Sequence, residues 1–243
     1  MKTIGLIGGM SWESTVPYYC IINKDVRERL GGLHSAKIIL LSVEFAEIHH
    51  LQQIGDWEQA GKILADAALT LEKAGAECVA VCTNTMHLVA DRIIQALSVP
   101  FIHIADPTAQ KIKEDGLTKV GLLGTHFTME QPFYAERLRE KFGINVIIPD
   151  EADREIVHQT IFGELCVGRR RPESQRHFQR IIRKLADRGA QGVLLGCTEI
   201  SLLIGRDDSV LPIYDTTEIH AHALAAWALS DSDITHGMQV SPA

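Results

Sequence analysis

The chain is 243 residues long, 46% hydrophobic, and carries a formal net charge of −7. That length can bury a full core, as one large domain or two modest ones. The acidic balance argues against nucleic acid as the main partner, because phosphate backbones need a basic face.

In chain order, the opening "MKTIGLIGGM" is too short and Gly-rich for a signal peptide, and no later apolar stretch is long enough to span a membrane. A cytoplasmic protein with no membrane partner is expected. "GLIGGMS" lacks the GxGxxG spacing of a dinucleotide site. Short β-rich runs alternate with longer amphipathic stretches, the pattern of an α/β architecture with parallel sheets. The predicted strands are residues 3–7, 37–43, 78–81, 101–104, 119–123, 145–148, 192–195 and 211–214. Between them, "DWEQAGKILADAALTLEKAGA" places Ala60, Ile63, Leu64, Ala67, Ala68 and Leu71 on one helical stripe. "SQRHFQRIIRKLADRGA" does the same with Phe178, Ile181, Ile182 and Leu185, and "TTEIHAHALAAWAL" reads as a packing helix. The last thirteen residues, 231–243, are polar and predicted to be disordered.

These elements recur in order. "TIGLIGGMS" is echoed by "KVGLLGTHF", with Gly5 and Gly121 offset by 116. "AGAECVAVCTNT" is echoed by "RGAQGVLLGCTE", with Thr83 and Cys197 offset by 114, and "SVPFIHIAD" by "SVLPIYD", with Pro100 and Pro212 offset by 112. Periods this long mark a duplicated domain, not a solenoid. The expected fold is therefore two similar parallel-sheet α/β domains related by pseudo-twofold symmetry, with the site in the cleft between them. Residues 1–105 plus 214–230 form the first half and residues 106–213 the second. In such sheets the carboxyl ends of the strands carry the site loops. Thr83 and Cys197 then approach one cleft from opposite sides.

Two opposed groups at one depth suit a reaction that needs an acid and a base on opposite faces of one carbon. A thiol can serve as base, and the helix start after its strand is expected to lower its pKa. Backbone N–H groups with the hydroxyls of Thr85 and Thr198 can cradle a carboxylate, which helps a carbanion form beside it. The five cysteines include no CxxC and no metal-type spacing, so free thiols and no metal are expected.

Together "GLIGGMSWEST", "CTNTMH", "LLGT" and "GCTEI" resemble the cofactor-independent aspartate/glutamate racemases, from about residue 3 to about residue 225. The resemblance implies a two-base mechanism without pyridoxal phosphate, a small amino-acid substrate and a homodimer. It also implies catalytic roles for Thr83 and Cys197, and substrate contacts at Met10, Ser11, Gln52, Asn84, Thr85, Thr125, Thr198 and Glu199.

The chain departs from the family pattern where a first cysteine belongs, since Asn84, Thr85 and His87 put Thr83 there, not Cys82. A threonine hydroxyl is a far weaker acid than a thiol. Cys197 is thus expected to act as the effective base and Thr83 as proton donor or relay, and the resemblance implies that Cys197 serves the L-form. The arginine of aspartate racemases is missing from "SVEFAEIHHLQQIGDW", where His49, His50 or Gln52 stand instead. Cys166 occupies the place of a family lysine, just before Arg169, Arg170 and Arg171.

Blander assignments stay open: Cys197 as a core cysteine, Thr83 as a helix cap, and Cys20, Cys78 and Cys82 as core. The alternative functions are a broad-specificity amino-acid racemase, another isomerase of the superfamily such as a hydantoin racemase or maleate isomerase, or an amino-acid-binding protein whose catalysis has decayed.

Overall fold

The computed structural model describes residues 1–230, and the 231–243 tail lies outside the described residues. The first half runs β1 (Ile4–Gly8), α1 (Trp12–Leu30), β2 (Ile38–Ser42), α2 (Phe45–Ile54), α3 (Trp57–Lys73), β3 (Cys78–Val81), α4 (Ala90–Ala96). After α5 (Ala105–Glu114) the order repeats: β4 (Lys119–Gly124), α6 (His126–Glu130), α7 (Pro132–Phe142), β5 (Asn145–Ile147), α8 (Glu151–Gly163), α9 (Pro172–Asp187), β6 (Val193–Gly196), β7 (Ile213–Asp215), α10 (Thr216–Leu229). The sheets are ordered β2-β1-β3 and β5-β4-β6-β7, with every pairing between these strands parallel. The predicted two-sheet α/β architecture is thus present. Among the described residues no helix is long and apolar enough to cross a membrane.

Parallel strands covered by helices on both faces must be apolar on both. On β1, Ile4 and Leu6 join Tyr18, Ile22 and Val26 of α1 and Ala221, Leu224 and Ala225 of α10. Ile7 faces the other way, toward Leu64, Ala68 and Leu71 of α3. Full burial of such a side chain contributes about 2 kcal/mol. The stripes predicted for α3 and α9 are their packed faces, with Ile63 only partly buried.

The offset of Gly5 and Gly121 has a packing cause. A Cβ on Gly5 would lie 2.8 Å from Ala76 Cβ, and one on Gly121 2.8 Å from Leu185 Cδ1, so each central strand needs glycine where a helix end crosses it. Beyond those glycines the two copies differ in length. From the end of β1 at Gly8 to the N-cap Ser11 there are two intervening residues, Gly9 and Met10, whereas Thr125 follows Gly124 directly as N-cap of α6. That two-residue insertion turns the 116 offset into 114.

One predicted strand is reduced to a single bridge. Phe101 pairs with Val79 alone, and the N–H of Ile104 goes to His87 Nε2 at 3.2 Å instead of to a ladder partner. The chain turns into α5 there. Its counterpart does pair, as β7 beside β6. After β7 the chain crosses back, and α10 packs its apolar residues on α1 and β1.

Candidate active site

Strands β3 and β6 end alike. Each runs buried into a five-residue 3-10 turn, Thr85–Val89 or Thr198–Leu202. From Cys78 to His87 every residue is buried except Thr83, and from Gly192 to Ile200 every residue is buried except Cys197. The strand alternation that exposes Thr83 sends Cys82 to the other side, into the core with Leu6 and Tyr18.

The residues flanking these positions meet across the halves, and they do so reciprocally. Thr85, two residues past Thr83, has its hydroxyl 3.0 Å from that of Thr125 and 3.2 Å from that of Thr128. Glu199, two residues past Cys197, accepts from Ser11 Oγ at 2.8 Å and Ser14 Oγ at 2.6 Å. Ser14 and Thr198 also join their hydroxyls. Ser14 and Thr128 were not among the predicted contacts. Their signal is a Ser/Thr pair three apart at both helix starts, Ser11 and Ser14 recurring 114 residues later as Thr125 and Thr128.

Glu199 is 4% exposed and held by hydroxyl and thiol donors. Besides the two serines, Thr198 Oγ1 donates at 2.7 Å and Cys197 Sγ at 2.9 Å, with Cys166 Sγ more distant at 3.7 Å. Burial favours the neutral acid, but hydrogen bonds from Cys197, Ser14, Thr198 and Ser11 outweigh it and hold the carboxyl below its usual range. The same contact acts on Cys197 in the opposite sense. Burial first, then the Glu199 charge and the neighbouring Cys166, push its thiol well up. The expected lowering by a helix start is not realised, because burial of the thiol, with an anion at hydrogen-bond distance, outweighs the short turn. In this state the proton sits on sulfur.

On the other side, His87 supports Thr83. Its Nδ1 lies 2.8 Å from the Thr83 carbonyl, while Nε2 accepts from the Ile104 N–H, which assigns Nδ1 as the proton carrier. Burial, with His220 nearby, lowers its pKa to about 3. His103 packs edge-on 4.4 Å from the His87 ring. His220 is fixed between the Tyr18 hydroxyl and the Ile102 carbonyl, its pKa lowered by burial to about 4.

The other predicted contacts lie in varied settings. Met10 is packed in the first-half core, so its backbone is the part free to meet a ligand. Asn84 donates from Nδ2 to Thr216 Oγ1 at 2.9 Å, and its Oδ1 is buried with no partner. Gln52 is buried and directs Nε2 to Met86 Sδ at 3.0 Å. Half-buried His49 lies between Phe45 and Phe162, with ring centroids 5.8 and 4.8 Å away. Arg169, Arg170 and Arg171 are all exposed, and Arg171 pairs with Glu164 at 3.6 Å. Cys78 and Cys82 are core as expected, but Cys20 is exposed on α1.

Comparison with known proteins bears on this geometry. The sequence profile of the Asp/Glu/Hydantoin racemase family matches residues 7–224. The broad specificity amino-acid racemase RacX of Bacillus subtilis is 25% identical over 218 residues, 88% of this chain and 92% of that protein. Among solved structures, a presumed Asp/Glu racemase from Yersinia pestis is 56% identical, with a TM-score of 0.89 over 95% of this chain and 100% of that one. An aspartate racemase homologue from Pyrococcus horikoshii OT3 is 38% identical, with a TM-score of 0.81 over 94% and 99%.

Proposed function

The chain belongs to the Asp/Glu/hydantoin racemase family, and on that premise we propose that it is an isomerase inverting the α-carbon of aspartate- or glutamate-type amino acids without pyridoxal phosphate. Cys197 is the base toward the L-form and Thr83 the opposite-face proton donor or relay. The observation that carries this reading is the paired partial exposure of Thr83 and Cys197, each the one half-buried residue in an otherwise buried strand-to-turn run.

The chemistry follows from placement. An α-proton is removable only if the resulting carbanion is stabilised, and hydroxyl and N–H donors around the substrate carboxylate do that best when fixed in advance. Ser11, Thr85, Thr125 and Thr198 supply the hydroxyls, held in the cleft by contacts across the halves. The free Asn84 Oδ1 is an acceptor suited to the substrate ammonium. Thr83 returns a proton from the far face and recovers one from water. Because the enantiomers are isoenergetic, kcat/KM is equal in both directions, and any preference for L lies in kcat and KM separately.

A second reading, a broad amino-acid range, is favoured by the side-chain end of the site. Gln52 spends its amide on Met86 and Arg171 is paired with Glu164, so the strict demand for a second carboxylate is weakened. The reading includes a cytoplasmic homodimer, checked by sedimentation. The main test is α-proton exchange in D2O, followed by proton NMR on L- and D-aspartate, glutamate and a neutral panel with no added cofactor. Exchange with inversion is expected. Tight binding with no exchange would move the protein to the decayed binding class.

A further inference from the structure

Thr125 stands between the end of β4 and α6, a helix of five residues with Thr128 and Met129 as its buried side chains. So short a helix is held by its neighbours more than by its own hydrogen bonds. The neighbour here is α8. His126, next in sequence to Thr125, has Nδ1 2.9 Å from Glu130 Oε1 and Nε2 2.9 Å from Glu155 Oε2. Arg154 of α8 donates to the same Glu130 oxygen at 2.7 Å, and Gln159 to the other Glu155 oxygen at 2.8 Å. The His126 backbone N–H, an orphan of the first helical turn, goes to His158 Nδ1 at 3.2 Å.

A neutral imidazole carries one N–H, so carboxylates at both ring nitrogens of His126 require the imidazolium. His158, with ring centroids 4.3 Å apart, is neutral, because its Nδ1 accepts. Burial opposes the charge on His126, yet Glu130 and Glu155 outweigh it and raise its pKa above the ordinary 6.5. Burial and the His126 charge lower that of His158. Asp150, Glu151 and Lys184 line the groove beside this cluster, and His49 of α2 packs with His158 on Phe162.

The geometry points to His126 as a positioning residue for substrate affinity: its imidazolium straps α6 to α8 and so fixes the Thr125 hydroxyl where the substrate carboxylate meets it. This deepens the racemase reading and rests on it. Thr125 is the N-cap of α6, and its Oγ1 lies 3.0 Å from Thr85 Oγ1 across the halves. A shift of α6 therefore moves one member of the hydroxyl pair. When His126 loses its proton, one ring nitrogen turns a lone pair toward a carboxylate, and attraction there becomes repulsion. Substrate is held most tightly below the His126 pKa, and the hold weakens as pH rises through it.

The test measures KM for L-aspartate and L-glutamate, from formation of the D-product, at about pH 6 and about pH 8.5. Wild type, His126→Gln and His126→Arg are compared. Titration of the thiol and of the substrate ammonium is common to all three and cancels in the ratios. Glutamine binds no proton, so its KM is expected about threefold above wild type at the lower pH and equal to it at the higher, the scale of a partly exposed ion pair. Arginine keeps a charged fork at every pH, and its KM is expected to stay at the low value at both. A ratio of glutamine to wild type that does not change with pH, or an arginine variant that follows glutamine, overturns the proposal.

Reciprocity gives a second arm. If the charged strap favours substrate, the same amino acid at saturation shifts the His126 titration midpoint upward, by the logarithm of that threefold ratio. NMR of labelled histidine reads it, with His126→Gln identifying the resonance. No shift, or a downward one, overturns the proposal. Failure of the racemase reading itself looks different: wild type then forms no D-product at either pH. The titration of His126 in the free protein still decides the strap, which requires a midpoint above the ordinary imidazole value that falls in Glu155→Gln.

Discussion

The two strand-end turns are copies of one design carrying opposite chemistry. On the Cys197 side a thiol sits against a carboxylate that can accept its proton, and Ser11 and Ser14 close over that carboxylate from the other half. On the Thr83 side the corresponding residue is Thr85, closed over by Thr125 and Thr128, and every group is a neutral hydroxyl. Their supports differ too. His87 holds the Thr83 carbonyl, whereas at the matching position Ser201 donates to the Thr198 carbonyl at 2.9 Å. The scaffold is common to both copies, whereas the thiol–carboxylate pair belongs to the second alone.

The sharpest way to break the asymmetry is Cys197→Ala, which removes the thiol opposite Thr83. It is expected to lower α-proton exchange by about a thousandfold, roughly 4 kcal/mol in the barrier, with an unchanged circular dichroism spectrum. Retention of activity would remove Cys197 from its role.

The two-residue insertion in the first copy gives the next effect. Gly9 has φ of 92°, and a Cβ there would lie 2.2 Å from the Val43 carbonyl oxygen. Gly9→Ala should cost about 3 kcal/mol, read as a lowered urea midpoint.

Acid should then weaken the histidine-supported side. His87 and His220 have folded pKa values of about 3 and about 4, below the ordinary imidazole value of 6.5. The unfolded chain therefore binds more protons, so their contribution is full above about pH 6.5 and is lost as pH falls toward those values. The loss is about 2 kcal/mol for each by about pH 5. Urea titrations with amide exchange should find β3 opening before β6, and equal loss in both would place the support elsewhere.

Thr83→Cys places a thiol at both strand ends and should speed turnover about tenfold or more, about 1.4 kcal/mol. Smallest is Thr128→Val, which removes one hydroxyl from the neutral cluster and should cost about 1 kcal/mol of stability.

The sequence made the architecture legible because duplication wrote each element twice. The apolar stripes of α3 and α9, the glycine pair at Gly5 and Gly121, and the two strand ends could all be checked against a second copy. What could not be read were contacts made only when the halves close. Ser14 and Thr128 look like ordinary first-turn residues, and Glu199 looks like a ligand contact until Ser11, Ser14 and Cys197 are seen around it. The failed strand at 101–104 has a tertiary cause within the first half, since His87 captures the Ile104 N–H from 17 residues away. The thiol pKa differs from expectation for a related reason, because local helix electrostatics were weighed without the burial of the thiol and the carboxylate beside it.

Thr216 links the halves away from the reacting groups. Fully buried at the head of α10, it donates to the Leu195 carbonyl of β6 at 2.8 Å while accepting from Asn84 of the first half at 2.9 Å. The chain makes its return crossing at the same point. Such a residue is a rivet: one hydroxyl fastens the end of β6 to the turn after β3, so the two strand ends are spaced by a single buried side chain.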